Sequence, residues 1–324
     1  MSSEPATAGL SFWGLSAAAL EGILLVGQVR ISLQGGSMKA KVYSVLLFLL
    51  LLCLAATGQA QTAPCNFTNF DFPNSTFTGL SGVNNSGVMA GTYGDQNGNV
   101  HGFISRSNTF SSFDFPGAFR TETGQINNRD AIVGDYVDGQ TFVQNGFLFQ
   151  NGQFTSIVVP GQNATRATGI NDQGVIVGTF EGPIGEHGFA KIGDLFVTID
   201  FPGSKRTDVR GINNAGQIVG TYGDQNGGNH GFLLSNGQFT SIDFPGTSGG
   251  SSGLGISPTG IVVGNYFQGA GHGFIDNNGN FETADFPGGS QSTIPFGLNA
   301  SNVMVGAYVN SIGQNHGFVA HCQV

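Results

Sequence analysis

Arginine is the first residue type here whose placement could do chemistry. Between residues 61 and 324 the chain carries 8 Lys+Arg against 18 Asp+Glu. Five of those eight fall in three short stretches: Arg120, Arg166, and the trio Lys205, Arg206 and Arg210. Glu122 and Asp208 are interleaved with them. In an extended chain, alternate residues share a face, so Arg120 with Glu122 forms one face. Arg206, Asp208 and Arg210 form another. A planar guanidinium grips a carboxylate through two parallel hydrogen bonds. The chemistry expected of this set is recognition of a polar, acidic group by Arg120, Glu122, Arg166, Arg206, Asp208 and Arg210. A second reading stays open beside it. Arg120 can pair with Glu122, and Arg206 or Arg210 with Asp208, so that the charges merely satisfy one another.

The other chemically able residues recur at a fixed interval, and recurrence argues for scaffold. His101, His187, His230, His272 and His316 occupy one repeat position, with Asn145 in the second copy. Metal ligands must converge within about 2 Å of one ion, and equivalent positions on a ring do not, so a structural hydrogen bond is expected and no metal. Asp71, Asp114, Asp200, Asp243 and Asp285 recur before Phe-Pro and are expected to cap a turn. Tyr93, Tyr136, Tyr222, Tyr266 and Tyr308, with Phe180, form a third set, expected to pack repeat against repeat. The loops Asp95-Gln96-Asn97-Gly98-Asn99 and Asp224-Gln225-Asn226-Gly227-Gly228 begin like a calcium loop, but Arg106 stands where the motif needs Glu. They read as Asn-Gly turns.

Those intervals define the elements. A motif Gly-Ile-Asn-Asn-x-Gly-x-Ile-Val-Gly begins at Gly82, Gln125, Gly169, Gly211, Gly255 and Gly297, at steps of 43, 44, 42, 44 and 42. His-Gly-Phe and Asp-Phe-Pro recur with it, the latter degenerate at Val158-Val159-Pro160. In the fourth copy a strand ends near Ile212, and Gln217 to Tyr222, His230 to Leu234 and Gln238 to Phe244 make three more. Asn236-Gly237 between the last two is a strong hairpin signal. Four strands in about 43 residues is the size of a propeller blade. The expected fold is an all-β, six-bladed β-propeller with four-stranded blades over residues 61–324. The first strand of a blade is normally innermost, so the arginine-bearing face should line the channel or its mouth. Four residues before each motif start there is always Thr or Ser, which reads as scaffold.

The two ends complement each other. The last repeat stops after its third strand at Cys322, and the segment from Cys65 to Pro73 looks like an isolated fourth strand. Aligned to the fourth repeat, Cys322 falls on Asn236 and Cys65 on Gly237, the two adjacent residues of the hairpin turn. A Cys65–Cys322 disulfide closing the ring is expected. With the motifs laid out, the chain from about 66 to 320 resembles the HAF-repeat family of bacterial extracellular proteins, with Gly mostly standing where that family has Ala in His-Ala-Phe. The resemblance implies secretion and carries no catalytic residues.

Upstream of the repeats, Met38 opens a short basic stretch (Lys39, Lys41), an apolar run from Val45 to Ala56, and a small-x-small site at Gly58-Gln59-Ala60. This reads as a secretory signal peptide, 38–60, too short for a membrane span. Residues 1–37 read as an upstream extension outside the native product. Composition excludes much else. Glycine supplies 54 of 324 residues and charged residues 10%, unlike a coiled coil or helical solenoid. A net charge of −9 excludes a basic nucleic-acid surface. The functional expectation is a secreted, extracellular or periplasmic monomer that recognises a glycan or protein, with an acidic group on the ligand and no cofactor. A polysaccharide lyase or glycoside hydrolase with its site at the channel mouth is the alternative, although the sequence offers no nucleophile motif and no non-repeated carboxylate pair. A purely structural surface protein is a third reading. The sequons at Asn66, Asn74, Asn163 and Asn299 matter only in a glycosylating host.

Overall fold

A computed structural model describes residues 65–287 and 291–324. The expected extension (1–37) and signal peptide (38–60) lie outside the described residues. The described chain holds twenty-four strands and no helix, hence no helix long and apolar enough to cross a membrane.

Five repeats each make a four-stranded antiparallel meander, and the last supplies three strands with Cys65–Asn69 as the fourth. In the fourth, Arg206–Ile212, Ile218–Gly223, Asn229–Ser235 and Gln238–Ile242 follow one another in sheet order. Asn236 and Gly237 both adopt positive φ, 51° and 77°, as a two-residue hairpin turn demands. Four such sheets are separate, and the remaining eight strands join into one sheet. The join is a single parallel bridge between Gly271 and Ser292. The architecture is a β-propeller with four-stranded blades. The first strands abut one another in a closed cycle: Phe77–Val83 touches both Ala118–Ile126 and Ser292–Leu298.

The recurring motifs explain this packing. The phenylalanine of His-Gly-Phe is wholly buried in every copy (Phe103, Phe147, Phe189, Phe232, Phe274, Phe318). Each burial stabilises by about 2–3 kcal/mol. The ring lies over the Gly of Ile-Val-Gly. A Cβ on Gly220 would come within 2.7 Å of the Phe232 ring and 2.2 Å of the Asp208 carbonyl, so no larger residue fits. The Thr or Ser before the motif ties down the incoming chain: the Phe201 N–H donates to Thr207 Oγ1 at 2.9 Å and the Phe244 N–H to Ser251 Oγ at 2.9 Å.

The histidines are structural. His230 Nδ1 lies 3.0 Å from Asp243 and His101 Nδ1 lies 2.8 Å from Asp114. This corrects the expectation that these aspartates cap turns. Gly231 pairs with Ile242, so the preceding His and the following Asp are cross-strand neighbours, and the carboxylate meets the imidazole instead. The tyrosines pack: Tyr222 stacks on Phe201 at 3.6 Å between centroids, and its hydroxyl reaches Ser241. The Asp95 and Asp224 carboxylates accept backbone N–H groups of their own loops. That is the bland turn reading, and no cluster able to hold a metal occurs among the described residues.

The ends meet as the alignment requires. Cys65–Asn69 pairs with Asn315–Cys322, Cys65 opposite Cys322, and the two are disulfide-bonded. Asp71 reaches His316 at 2.8 Å, restoring across the junction the His–Asp pair of an uninterrupted repeat. Closing 257 residues restricts the unfolded chain by about 5.5 kcal/mol in the entropic account. Such a bond points to an oxidising environment, extracellular or periplasmic.

Candidate functional site

The first strands decide what faces the axis. Each carries a register irregularity just before its motif start, as between Val209 and Gly211 or Gly253 and Gly255. A bulge frees one residue from pairing and re-aims it. The residues freed are Ser81, Thr168, Arg210, Leu254 and Phe296, and all line one cavity. The next residue is glycine where its neighbours come closest: a Cβ on Gly255 would lie 2.5 Å from the Phe296 carbonyl oxygen and one on Gly82 2.9 Å from the Ile126 nitrogen.

Gln125 is the exception, and it closes the channel. Its side chain crosses the axis, and Nε2 donates to the carbonyls of Phe296 (3.3 Å) and Leu254 (3.5 Å). On one side of this plug the Asn turns link end to end. Asn299 Nδ2 donates to the Asn84 carbonyl, Asn84 to Asn127, Asn127 to Asn171, Asn171 to Asn213 and Asn213 to Ser257. On the other side opens a cup of about 440 Å³.

The cup has two unlike walls. One is apolar, from Phe77, Leu80, Leu254 and Phe296. The opposite wall carries Arg120, Glu122, Asp135, Gln144, Arg166 and Arg210. Arg120 pairs with Glu122 at 3.1 Å. Arg166 pairs with Glu186, which also meets Arg206 at 3.5 Å. Arg210 grips Asp208 at 2.5 Å. Charge pairing of the arginines is thus real, with Glu186 as an acceptor the sequence reading did not name. It does not exhaust the donors. The Nε–H groups of Arg120 and Arg210 are buried without a hydrogen-bond partner.

The sequence candidates separate accordingly. Arg120, Glu122, Arg166 and Arg210 come together in the cup. Arg206 lies outside it, in an adjoining cleft with Lys205 and Glu186. Asp208 lines neither cavity. It is 4% exposed and accepts from Thr179 Oγ1 at 2.7 Å, which makes it the buried anchor of Arg210.

Asp135 was missed. It stands directly across the strand pair from Glu122, and Gln144 Nε2 donates to it at 2.6 Å. Burial pushes its carboxyl up to about 6; the Glu122 charge adds to this, while the Gln144 hydrogen bond and Arg166 and Arg120 oppose it. The signal was in the sequence. Thr92, Thr179, Thr221, Asn265 and Ala307 occupy the equivalent position, and Asp135 is the one ionisable residue among them.

Neither a family model nor a curated protein matches the chain. Solved structures do. A variant of AofleA from Arthrobotrys oligospora aligns with a TM-score of 0.51 at 10% identity over 82% of this chain and 89% of that one. Virginiamycin B lyase from Staphylococcus aureus, solved with quinupristin, gives 0.48 at 12% identity over 78% and 88%. A fungal lectin from Aleuria aurantia, described as a six-bladed β-propeller with a fucose recognition mode, gives 0.46 at 10% identity over 78% and 93%. At such identities the likeness concerns the fold, and the chain is similar to solved β-propellers.

Proposed function

We propose that the chain is a secreted six-bladed propeller of the HAF-repeat type that recognises an extracellular glycan bearing a carboxylate, bound in the cup. The count of six takes each antiparallel half of the eight-stranded sheet as a blade. One observation carries the functional reading: an apolar wall with two phenylalanines faces an arginine wall that also holds Glu122 and Asp135. A sugar ring presents both an apolar face and hydroxyls that donate to carboxylates, while its acidic group takes the guanidinium donors. A purely acidic peptide would be repelled by the two carboxylates.

The test is electrophoresis through native gels containing single polysaccharides, neutral and acidic. Retardation by an acidic polymer, weakened by salt and lost in the Arg120→Ala, Arg166→Ala double variant, supports the reading. Equal mobility in every gel overturns it. Arg210 is left intact in this test, because its loss strands the buried Asp208 carboxylate.

A second reading has its own observation. Glu122 and Asp135 are cross-strand neighbours in unlike surroundings, the arrangement from which acid–base pairs are made. Cleavage of the polymer during electrophoresis, abolished by both Glu122→Gln and Asp135→Asn, would make the protein a polysaccharide-cleaving enzyme.

A further inference from the structure

The cup is not the only cavity the variable positions build. A cleft of about 490 Å³ lies beside it, lined by Lys205, Arg206, Glu186, Ala164 and Phe180. Gln144 and Arg166 line both cavities, so the two share a wall. A polar chain runs along that wall. Gln144 holds Asp135. Arg166 meets Glu186, Glu186 meets Arg206, and Arg206 Nη2 donates to Asn229 Oδ1 at 2.9 Å. Gln144, Glu186 and Asn229 occupy one repeat position, the residue before the His-Gly-Phe site. They differ in every one of these copies, as a ligand-facing position would.

We infer that the cup and the cleft form one groove for a linear acidic oligosaccharide, with one uronate-type unit in the cup and the next acidic unit against Lys205 and Arg206. Glu186 holds that place: its carboxylate sits between Arg166 and Arg206, where the ligand's would sit. Its side chain is 29% exposed, and ion pairs this accessible to water stabilise by about 0–1 kcal/mol, so an incoming carboxylate displaces it at small cost. Only the third repeat has an acid at this position, after a loop, Glu181-Gly182-Pro183-Ile184-Gly185, that stands in place of the Asp-Gln-Asn-Gly turns of the first and fourth repeats. This inference rests on the cup being a glycan site. It goes further in naming a second acidic unit and a built-in competitor.

Calorimetry of the disulfide-bonded protein with galacturonic acid and with its linear tetramer tests it, with poly-aspartate as control. The tetramer is expected to bind at least about tenfold tighter than the monomer. Lys205→Ala with Arg206→Ala should erase that advantage, so that both sugars bind alike. Glu186→Gln should tighten the tetramer several-fold, with an unchanged unfolding midpoint showing that the blade is intact. A tetramer no tighter than the monomer overturns the groove and leaves the cup reading standing. Binding of neither sugar overturns both. Poly-aspartate binding as tightly as the tetramer replaces the glycan with an acidic protein segment, and a Glu186→Gln variant with unaltered affinity removes Glu186 as competitor.

Discussion

The two ends of the central axis are built from the same six strands and do opposite things. At one end the Asn turns repeat one arrangement: a buried side chain folds over its own turn and donates to the next repeat. Asn127 accepts from the Arg129 and Ala131 N–H groups at 2.9 and 3.0 Å and donates to the Asn171 carbonyl at 3.0 Å. At the other end, one bulge away, the side chains are Ser81, Thr168, Arg210, Leu254 and Phe296, with no common chemistry. Gln125 stands between them. The difference teaches that repetition serves closure of the ring, where five of the interfaces share one Asn relay and only Ser257 breaks it. Departure from repetition gathers in one cavity, the cup.

Four measurements break or sharpen that contrast. The largest effect is expected from Asn127→Ala. It removes three hydrogen bonds, two of them buried, and should cost about 3 kcal/mol in denaturant unfolding, with ligand affinity unchanged. A comparable loss of binding would mean the ends are not separable. Next, Arg210→Ala should destabilise by about 2–3 kcal/mol, because Asp208 is buried and loses its cation. Arg166→Ala, whose partner Glu186 is water-accessible and keeps Arg206, should cost under about 1 kcal/mol while weakening acidic ligands. Equal stability losses would show that both arginines are scaffold.

The third measurement is the pH dependence of the cup. Asp135 holds its proton up to about pH 6 in the folded protein, above the ~4 of an unfolded carboxyl. Between those values the folded state binds the extra proton, so stability declines as pH rises through that window. The new charge also opposes an anion. Acidic ligands should therefore bind several-fold more weakly at pH 7 than at pH 5, and Asp135→Asn should flatten both the binding and the stability profile. A wild-type profile already flat would mean Asp135 is ionised throughout. The smallest effect belongs to Gln125→Gly, which opens the axis at a cost of about 1 kcal/mol and should move the unfolding midpoint by a few degrees. Affinity should stay within about twofold, and a larger change would place Gln125 in recognition rather than closure.

Much of this was legible in the residues. The repeat interval, the turn at Asn236-Gly237 and the fall of Cys65 and Cys322 on adjacent turn positions needed only period and turn chemistry, which are local. The shared face of Arg120 and Glu122 was legible too, since alternate residues of an unbroken strand share a side. Legibility ended where distance in the chain ceased to measure distance in space. Arg210 and Asp208 sit two residues apart, yet one lines the cup and the other is buried, because a bulge intervenes. Arg166 and Glu186 are 20 residues apart and touch. Asp135 faces Glu122 because of strand register. Gln125 reads as one lapse in a glycine column until the ring shows that this column is the axis. The sequence by itself therefore determined the blade, its repetition and its covalent closure, all of which follow from short-range pattern. Only the tertiary structure decided which departures share a cavity, because that depends on how a closed cycle of bulged strands brings unlike repeats face to face.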